Sequence, residues 1–209
     1  MPRRPDAVLF DLLTALLDSW TLWNRVAGDA ATGRRWRAEY LRITYAAGHY
    51  RRYEDLVAEA AAAVDLPRRL AGELAEHYAE IAPWPEAPAV LQEIAAAGVP
   101  LGVVTNCSEA LGRIAAGRLG ISFTTVVTAE RAGFYKPDPR PYQLALDEIG
   151  VAVERCLFVA GSAYDLFGAA RVGLPCWWHD RIGMDLLEGA PPPIARHRDL
   201  TPLAAAVLG

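Results

Sequence analysis

Asp11 is the residue whose type and position most directly suggest chemistry. It follows residues 8–10, an apolar run typical of a buried strand. If that strand is central in a parallel sheet, Asp11 lies at the carboxyl edge, where open α/β sheets bind their ligands. An aspartate there can be a general base, a metal ligand or a nucleophile. The alternative is a purely structural aspartate that caps the helix after the strand.

Other polar residues occupy equivalent positions farther along the chain. Thr105 and Asn106 follow a second predicted strand, Lys136 lies in the loop after a third, and Ser162 and Asp165 follow a fourth. Each could instead be a helix cap, an ordinary loop residue or a charge that complements a helix dipole. Because independent caps need not converge at one edge of a sheet, their joint placement favours a shared site.

The elements that would position these residues alternate between strand and helix. Strands are predicted at residues 6–10, 100–105, 124–127, 156–159 and 175–178. Helices are predicted at residues 87–97, 108–119, 139–150 and 163–172, and a last strand and helix follow the prolines at 191–193. This alternation predicts an α/β fold with a doubly wound parallel sheet.

A helical block separates the first strand from the second. Apolar residues recur at helical spacing between residues 18 and 83 without a convincing strand, and one helix is predicted at residues 67–81. The prolines at positions 83 and 85 end the block. We therefore predict two domains, a core of residues 1–17 and 84–209 and a helical cap of residues 18–83 inserted over the sheet edge.

Composition argues against several classes of protein. The 209 residues are 53% hydrophobic and 22% charged, as in an ordinary globular protein. No apolar run approaches the ~20 residues of a membrane span. The net charge of -4, with scattered basic residues, argues against a nucleic-acid surface. Asp6 and Asp11 interrupt any signal-peptide core, and glycine-rich phosphate loops are absent, so neither a leader nor a nucleotide cofactor is indicated.

Cysteine and histidine usage indicates no second kind of site. The three cysteines, at positions 107, 156 and 176, have no paired metal spacing, which fits a reducing cytoplasm better than a disulfide framework. A cysteine hydrolase could use Cys107, but no histidine lies in a recognisable partner motif. Because the histidines have no zinc-site spacing, packing or surface roles are expected for all of them, namely His49, His77, His179 and His197.

In their order along the chain, these residues resemble the haloacid dehalogenase superfamily, and most of all its L-2-haloacid dehalogenase (type II) branch. The resemblance covers nearly the whole chain, including a helical cap after the first strand. It is carried by Phe10-Asp11-Leu12, Trp36-Arg37, residues 136–142 and residues 162–165. The most specific of these stretches is Lys136-Pro137-Asp138, with Tyr142 six residues after the lysine.

The resemblance implies hydrolysis through an aspartyl ester, without a metal or another cofactor. Asp11 would attack the halogen-bearing carbon, and Lys136 would keep Asp11 ionised and oriented. Ser162 and Asp165 would position the lysine and the water that hydrolyses the ester. This division of roles agrees with physical chemistry, because displacement at carbon needs an anionic oxygen and a nearby lysine lowers the pKa of an aspartate.

The same resemblance implies a substrate site built from both domains. Arg37 and Asn106 would receive the halide, since a leaving anion needs fixed donors where its charge develops. Thr105 would bind the substrate carboxylate, and Tyr142 would support the site. Because Arg37 belongs to the cap, cap closure would complete the site. The full set of expected substrate contacts is Leu12, Leu13, Arg37, Leu56, Thr105, Asn106, Tyr142 and Tyr164.

The chain departs from the family's patterns at several positions. Phosphatases of the superfamily carry a second aspartate at the position of Leu13 and a metal-binding aspartate in segment 160–162. The loss of both speaks against phosphoryl transfer, which needs metal ligands and a general acid. Dehalogenases usually have Tyr-Gly-Thr at positions 13–15, and Ser and Asn where this chain has Ala160 and Ser162. The hydroxyl beside the nucleophile is therefore displaced or lost.

The sequence thus predicts a metal-independent hydrolase that displaces halide from a small 2-haloacid. Three alternatives stay open: opening of another activated or strained carbon centre by the same aspartate, a magnesium-dependent phosphatase with an eroded motif, and a non-catalytic binding protein of this fold. The expected partner is a small carboxylic acid, without nucleic acid or membrane, and a homodimer would be unsurprising in this family. The expected compartment is the cytoplasm.

Overall fold

The computed structural model describes residues 4–209, and a six-stranded parallel sheet lies at its centre. The strands are β1 (Ala7–Phe10), β2 (Leu101–Thr105), β3 (Thr125–Thr128), β4 (Cys156–Ala160), β5 (Cys176–His179) and β6 (Ala195–His197). Their order is β3-β2-β1-β4-β5-β6, and every neighbouring pair is parallel. The predicted α/β fold is therefore confirmed, and the strand order reverses at β1, between β2 and β4.

The central strand β1 forms because its apolar side chains are buried on both faces of the sheet. Val8 and Phe10 pack into one hydrophobic cluster, whereas Ala7 and Leu9 pack into the other. Such a continuous apolar run is expected of a parallel strand that is covered by helices on both sides. The Asp11 amide donates to the Val159 carbonyl at 2.9 Å, so the hydrogen-bond ladder continues one residue past the strand. Asp11 therefore lies at the carboxyl edge of the sheet.

Helices cover both faces of the sheet and form the inserted block. The inserted block contains α1 (Ser19–Ala27), α2 (Ala30–Ala47), α3 (Tyr53–Ala63) and α4 (Leu70–Glu76). The remaining helices are α5 (Ala87–Ala96), α6 (Glu109–Gly117), α7 (Ala129–Ala132), α8 (Pro139–Ile149), α9 (Ala163–Val172) and α10 (Thr201–Leu208). None of the helices within residues 4–209 is long and apolar enough to cross a membrane.

Two details of the sequence prediction need correction. The predicted helix at residues 67–81 is too long, because α4 is followed by a separate 3-10 turn at Tyr78–Glu80. That turn directs the Tyr78 hydroxyl to within 3.0 Å of the Tyr53 hydroxyl, so a buried contact in the cap overrides the helical pattern. The short helix α7 was not predicted; Thr128 caps its start through the Arg131 amide, and Gly133 ends it in the left-handed region.

The chain crosses between the inserted helices and the sheet at two adjacent segments. Leu17 and Pro83 form an isolated antiparallel bridge. The Trp84 amide donates to the Leu16 carbonyl at 3.0 Å, and the Asp18 amide donates to the Ala82 carbonyl at 2.8 Å. Because the two crossings bind each other, we propose that they mark the boundary between cap and core.

A second attachment lies on the far side of the cap. His49 and Phe134 form another antiparallel bridge. The Tyr50 amide donates to the Gly133 carbonyl at 2.8 Å, and the Tyr135 amide donates to the Gly48 carbonyl at 2.8 Å. The loop that ends in Lys136 is therefore bound to the cap through the main chain.

Candidate active site

The two carboxylate oxygens of Asp11 have different surroundings. Oδ2 accepts hydrogen bonds from the Thr14 amide at 2.9 Å, the Thr14 hydroxyl at 2.6 Å and the Ala15 amide at 3.3 Å. Oδ1 accepts a single bond from the Lys136 ammonium at 2.8 Å. Asp11 does not cap the next helix, because α1 is capped by the side chain of Asp18. The capping alternative for Asp11 is therefore wrong.

Lys136, the only lysine in the sequence, bridges two carboxylates. Its ammonium lies 2.8 Å from Asp11 Oδ1 and 2.7 Å from Asp165 Oδ1, and all three side chains are buried. The other oxygen of Asp165 accepts from the Gly161 and Ser162 amides and from the Ser162 hydroxyl. Ser162 and Asp165 together form the capping box of α9, so Asp165 both caps this helix and binds the lysine.

The charges of this triad shift one another's protonation. Burial alone would raise the pKa of Asp11, but the Lys136 charge and the bonds from Lys136 and Thr14 outweigh it and hold that pKa below 3.8. Burial, reinforced by the Asp11 charge and only partly offset by Lys136, raises the pKa of Asp165. Burial disfavours the Lys136 ammonium, yet its two carboxylate neighbours raise its pKa. At neutral pH Asp11 is an anion beside a fixed cation.

Arg37 of α2 faces this triad from the cap. It is 2% exposed and lines the same cleft as Asp11. Its guanidinium carbon lies 4.6 Å from the ring centroid of Trp20 and 5.2 Å from that of Trp23. Its Nε and Nη1 atoms have no hydrogen-bond partner within residues 4–209. Since a buried charge without a partner is costly, these free donors favour an anionic ligand.

Asn106 connects the end of β2 to the lysine. Its Oδ1 accepts from the Lys136 amide at 2.7 Å, and its Nδ2 donates to the Lys136 carbonyl at 3.0 Å. The carbonyl of Asn106 accepts from the Tyr40 hydroxyl of the cap at 2.5 Å. Asn106 thus fixes the main chain of Lys136, and its second Nδ2 proton remains available to a ligand in the cleft.

The cleft brings together most of the residues that the sequence predicted. It encloses about 450 Å³ of empty space, part of it open to solvent. The predicted residues that line it are Asp11, Leu13, Arg37, Asn106, Lys136, Ser162, Tyr164 and Asp165. Five lining residues were not predicted, namely Thr14, Tyr40, Leu41, Thr44 and Tyr45. Four of these five follow Arg37 on α2 at helical spacing, a signal that could have been used once Arg37 was chosen.

Four predicted substrate contacts lie outside the cleft. Leu12, Leu56, Thr105 and Tyr142 are all at most 1% exposed. Leu56 packs in a separate cluster, the Thr105 hydroxyl lies 3.7 Å from the Cys107 sulfur, and the Tyr142 ring packs edge-on to Phe158. Their side chains support no direct contact with a substrate. We revise their expected role to packing beneath the site.

The donor set of the cleft does not fit a magnesium site. The Lys136 ammonium already lies between Asp11 and Asp165, where a cation would have to compete with it. A Cβ atom at Gly161 would lie 2.2 Å from both the Ala15 amide and the Thr14 hydroxyl, so no aspartate fits at that position. No group of three or more metal-ligating side chains occurs in the described part of the chain. Magnesium prefers several oxygen ligands in octahedral geometry, which these residues do not supply.

Cys107 does not provide a competing nucleophile. Its side chain is fully buried, and burial raises the pKa of its thiol to about 12. A thiol with such a pKa is protonated at neutral pH and is a weak nucleophile.

A parallel sheet presents a buried aspartate–lysine pair at its switch point, beneath inserted helices, which is the arrangement of an α/β enzyme whose site lies at the carboxyl edge of the sheet. The chain belongs to the haloacid dehalogenase-like hydrolases, whose family model matches residues 6–173. It is 27% identical to (S)-2-haloacid dehalogenase H-109 of Pseudomonas putida, over 93% of this chain and 94% of the relative.

Solved structures agree with this assignment. The L-2-haloacid dehalogenase RSc1362 superposes with a TM-score of 0.85 and 27% identity, covering 99% of this chain and 100% of that one. A dehalogenase crystallised with an intermediate complex superposes with a TM-score of 0.87 and 25% identity over the whole of both chains. The predicted enzyme class, a haloacid dehalogenase-like hydrolase, is therefore confirmed.

Proposed function

We propose that this hydrolase displaces halide from small 2-haloacids through a covalent ester on Asp11. The observation that carries the proposal is that Asp11 and Arg37 line the same cleft. An ionised carboxylate, held by Lys136 and by the Thr14–Ala15 turn, shares a cleft with a buried guanidinium that has unpaired donors. A nucleophile and an anion receiver in one cleft suit displacement of an anionic leaving group from carbon.

In the first step Asp11 Oδ1 attacks the carbon that bears the halogen. We assign the attack to Oδ1 because it accepts one hydrogen bond, whereas Oδ2 accepts three. A new C–O bond forms, the carbon–halogen bond breaks, and its electron pair leaves with the halide. The free donors of Arg37, with the second amide proton of Asn106, receive that halide where its charge develops.

In the second step water hydrolyses the ester at Cγ of Asp11. Asp165, whose raised pKa suits a base, takes a proton from the water as its oxygen bonds to Cγ. The Thr14 and Ala15 donors already surround Oδ2, so they stabilise the negative charge that develops there. The Oδ1–Cγ bond then breaks, the departing 2-hydroxy acid takes a proton from Lys136, and Asp165 returns the proton of the water to the lysine. Asp11 ends protonated and loses its proton to solvent.

The test is product release from a panel of 2-haloacids, an epoxy acid and an aryl phosphate, each with EDTA and with added magnesium. We expect halide release that EDTA leaves unchanged and that Asp11→Asn abolishes without unfolding the protein. Magnesium-dependent phosphate release that EDTA removes would contradict the proposal in favour of a phosphatase. Turnover of the epoxy acid alone would favour ring opening, and binding without any turnover would favour a binding protein.

The proposal includes the setting in which the enzyme works. The three cysteines, Cys107, Cys156 and Cys176, are free and buried, which supports a reducing compartment such as the cytoplasm. The likeness to the dehalogenase family supports a homodimer. Sedimentation of the purified chain at several concentrations tests the dimer, and a single monomeric species throughout would exclude it.

A further inference from the structure

The turn that binds Asp11 is itself held from behind by two aromatic rings. The indole Nε1–H of Trp84 donates to the Thr14 carbonyl at 2.9 Å. The His179 ring, at the end of β5, places Nδ1 2.7 Å from the Ala15 carbonyl. Trp84 and His179 are 8% and 0% exposed, and neither lines the cleft. Both rings therefore act on the turn and have no access to a substrate.

The peptide group between Thr14 and Ala15 connects Trp84 to the nucleophile. Its carbonyl accepts from Trp84, and its N–H, which belongs to Ala15, donates to Asp11 Oδ2 at 3.3 Å. A peptide group is planar, so a donor that fixes the carbonyl also fixes the direction of the N–H. A bond accepted at the carbonyl also polarises the amide, which strengthens the bond that the N–H donates.

His179 holds the next peptide group, whose N–H belongs to Leu16 and donates to the Leu12 carbonyl at 3.3 Å, so it fixes the turn one peptide beyond the Ala15 donor. A carbonyl oxygen only accepts, so Nδ1 carries the proton and donates to the Ala15 carbonyl. Nε2 is buried and lacks a hydrogen-bond partner in the described chain, and the Glu86 carboxylate, which binds Arg181, lies 4.0 Å away. Burial lowers the pKa of His179, so the ring is neutral at neutral pH. Burying Nε2 without a hydrogen-bond partner is costly. The hydrogen bond from Nδ1 to the Ala15 carbonyl offsets part of that cost.

The main chain at Gly161 also approaches the turn closely. A Cβ atom at Gly161 would lie 2.2 Å from the Ala15 amide and 2.5 Å from the Thr14 carbonyl carbon. The turn therefore contacts the end of β4 closely in addition to its hydrogen bonds with the two rings.

We propose that Trp84 and His179 are positioning residues of the reaction, which hold the Thr14–Ala15 turn so that its donors meet Asp11 Oδ2. The inference rests on the proposed function, in which those donors stabilise the charge that develops on Oδ2. Trp84 also belongs to the second crossing between cap and core, where its amide binds the Leu16 carbonyl. The same residue therefore joins the base of the cap to the nucleophile's turn.

Two pairs of variants separate positioning from packing. Trp84→Phe removes the N–H and keeps most of the ring, and its matched control is Trp178→Phe, since Trp178 is also buried but its Nε1 has no partner. His179→Leu removes the donor, whereas His179→Asn keeps an N–H near the position of Nδ1. The readouts are kcat and KM for halide release and the hydrogen-exchange rate of the Ala15 amide.

We expect Trp84→Phe and His179→Leu to lower kcat about tenfold with KM nearly unchanged, and to speed Ala15 exchange by a similar factor. Trp178→Phe and His179→Asn should stay close to wild type. Equal effects in Trp84→Phe and Trp178→Phe, a change in KM alone, or unchanged Ala15 exchange would overturn the inference. The hydrogen-exchange measurement needs no substrate. If the wild type releases no halide, the proposed function fails. The Ala15 exchange rates of the variants then still decide whether the two rings hold the turn.

Discussion

At the scale of single residues, the site divides the work between the two oxygens of one carboxylate. Lys136 binds Oδ1, and the Thr14–Ala15 turn binds Oδ2. The sequence identified Asp11 and Lys136 because each follows a predicted strand. From the sequence, the threonine hydroxyl that dehalogenases usually carry at position 15 was either displaced or lost, since this chain has Ala15 there. The structure shows that the hydroxyl of Thr14, one position earlier, binds Asp11 instead. A hydroxyl's direction depends on the turn, which no residue pattern specifies.

Thr14→Val tests the contribution of that hydroxyl. The valine keeps the shape and the backbone donors but loses the 2.6 Å bond to Oδ2. Removing one donor to a developing oxyanion typically slows turnover by about 100-fold to 1,000-fold, and two backbone donors remain here. We therefore expect kcat to fall at the low end of that range and Thr14→Ser to retain most activity. Wild-type kcat in Thr14→Val would exclude the hydroxyl from the mechanism.

Lys136→Met tests the electrostatic role of the lysine. The Lys136 charge holds the pKa of Asp11 below 3.8 against burial, so its removal leaves burial to raise that pKa. Because Asp11 must be ionised to attack, the acid limb of the pH–rate profile should move to higher pH. Asp165 and Arg37 also face Asp11 and are unchanged in the variant. An acid limb at the wild-type position would show that the lysine does not tune Asp11.

The same substitution has a stability signature with a defined sign. A carboxylate whose pKa is lowered by folding stabilises the protein above its unfolded pKa and loses that contribution as pH falls through the folded pKa. Lys136→Met should therefore be less stable than wild type at pH 7, and the difference should shrink below about pH 4. Urea unfolding at both pH values measures it. A difference that grows toward low pH would contradict the assigned direction.

At the scale of elements, the segments that follow β1 and β4 lie so close together that a side chain at Gly161 would not fit against Thr14 and Ala15. The sequence predicted both strands, because buried parallel strands appear as continuous apolar runs. It also predicted α9 with its bounds, and the structure shows that Ser162 and Asp165 form a capping box at its start. It missed α7, and it joined α4 and the 3-10 turn after it into one helix, because such short helices depend on contacts distant in sequence. The close approach of Gly161 to the Thr14–Ala15 turn is likewise invisible without coordinates.

Gly161→Ala measures how tightly these two ends are fitted. The added methyl group would overlap the Ala15 amide and the Thr14 hydroxyl, each at 2.2 Å, so the turn must shift and its bonds to Asp11 must weaken. We expect the free energy of unfolding to fall by at least 1 kcal/mol, since overpacking typically costs roughly 1–3 kcal/mol. We expect the activation free energy of turnover to rise by more than this amount, so that kcat falls as well.

Gly72→Ala is the matched control for that substitution. A Cβ atom there meets nothing within 4 Å on helix α4, so alanine should stabilise the protein by about 0.5–1 kcal/mol and leave kcat unchanged. Thermal unfolding and halide release measure both variants. If Gly161→Ala and Gly72→Ala change stability and kcat alike, the contact at Gly161 is not tightly packed.

At the scale of the whole molecule, Arg37 from the inserted helices and Asp11 from the edge of the sheet line one cleft. Arg37 reaches the site from α2, while Asp11 follows β1, Lys136 lies in the loop before α8, and Asp165 lies in the first turn of α9. The sequence could predict this division because a helical block interrupts the strand pattern after β1. It could not predict which cap side chains face Asp11, since that depends on how α2 rotates against the sheet. Once Arg37 is taken to face the cleft, helical spacing points to Tyr40, Thr44 and Tyr45 as well, and the sequence prediction did not use that step.

The central claim is that Asp11 forms an ester that water cleaves at Cγ. Single turnover of 2-chloropropanoate in H2(18)O, with enzyme in excess, tests it most directly. We predict that the heavy oxygen enters the peptide containing Asp11, because water attacks the carboxyl carbon, while the 2-hydroxy acid carries only the original Asp11 oxygen. Heavy oxygen in the 2-hydroxy acid after the first turnover, with an unlabelled Asp11 peptide, would show direct attack by water and would contradict the account.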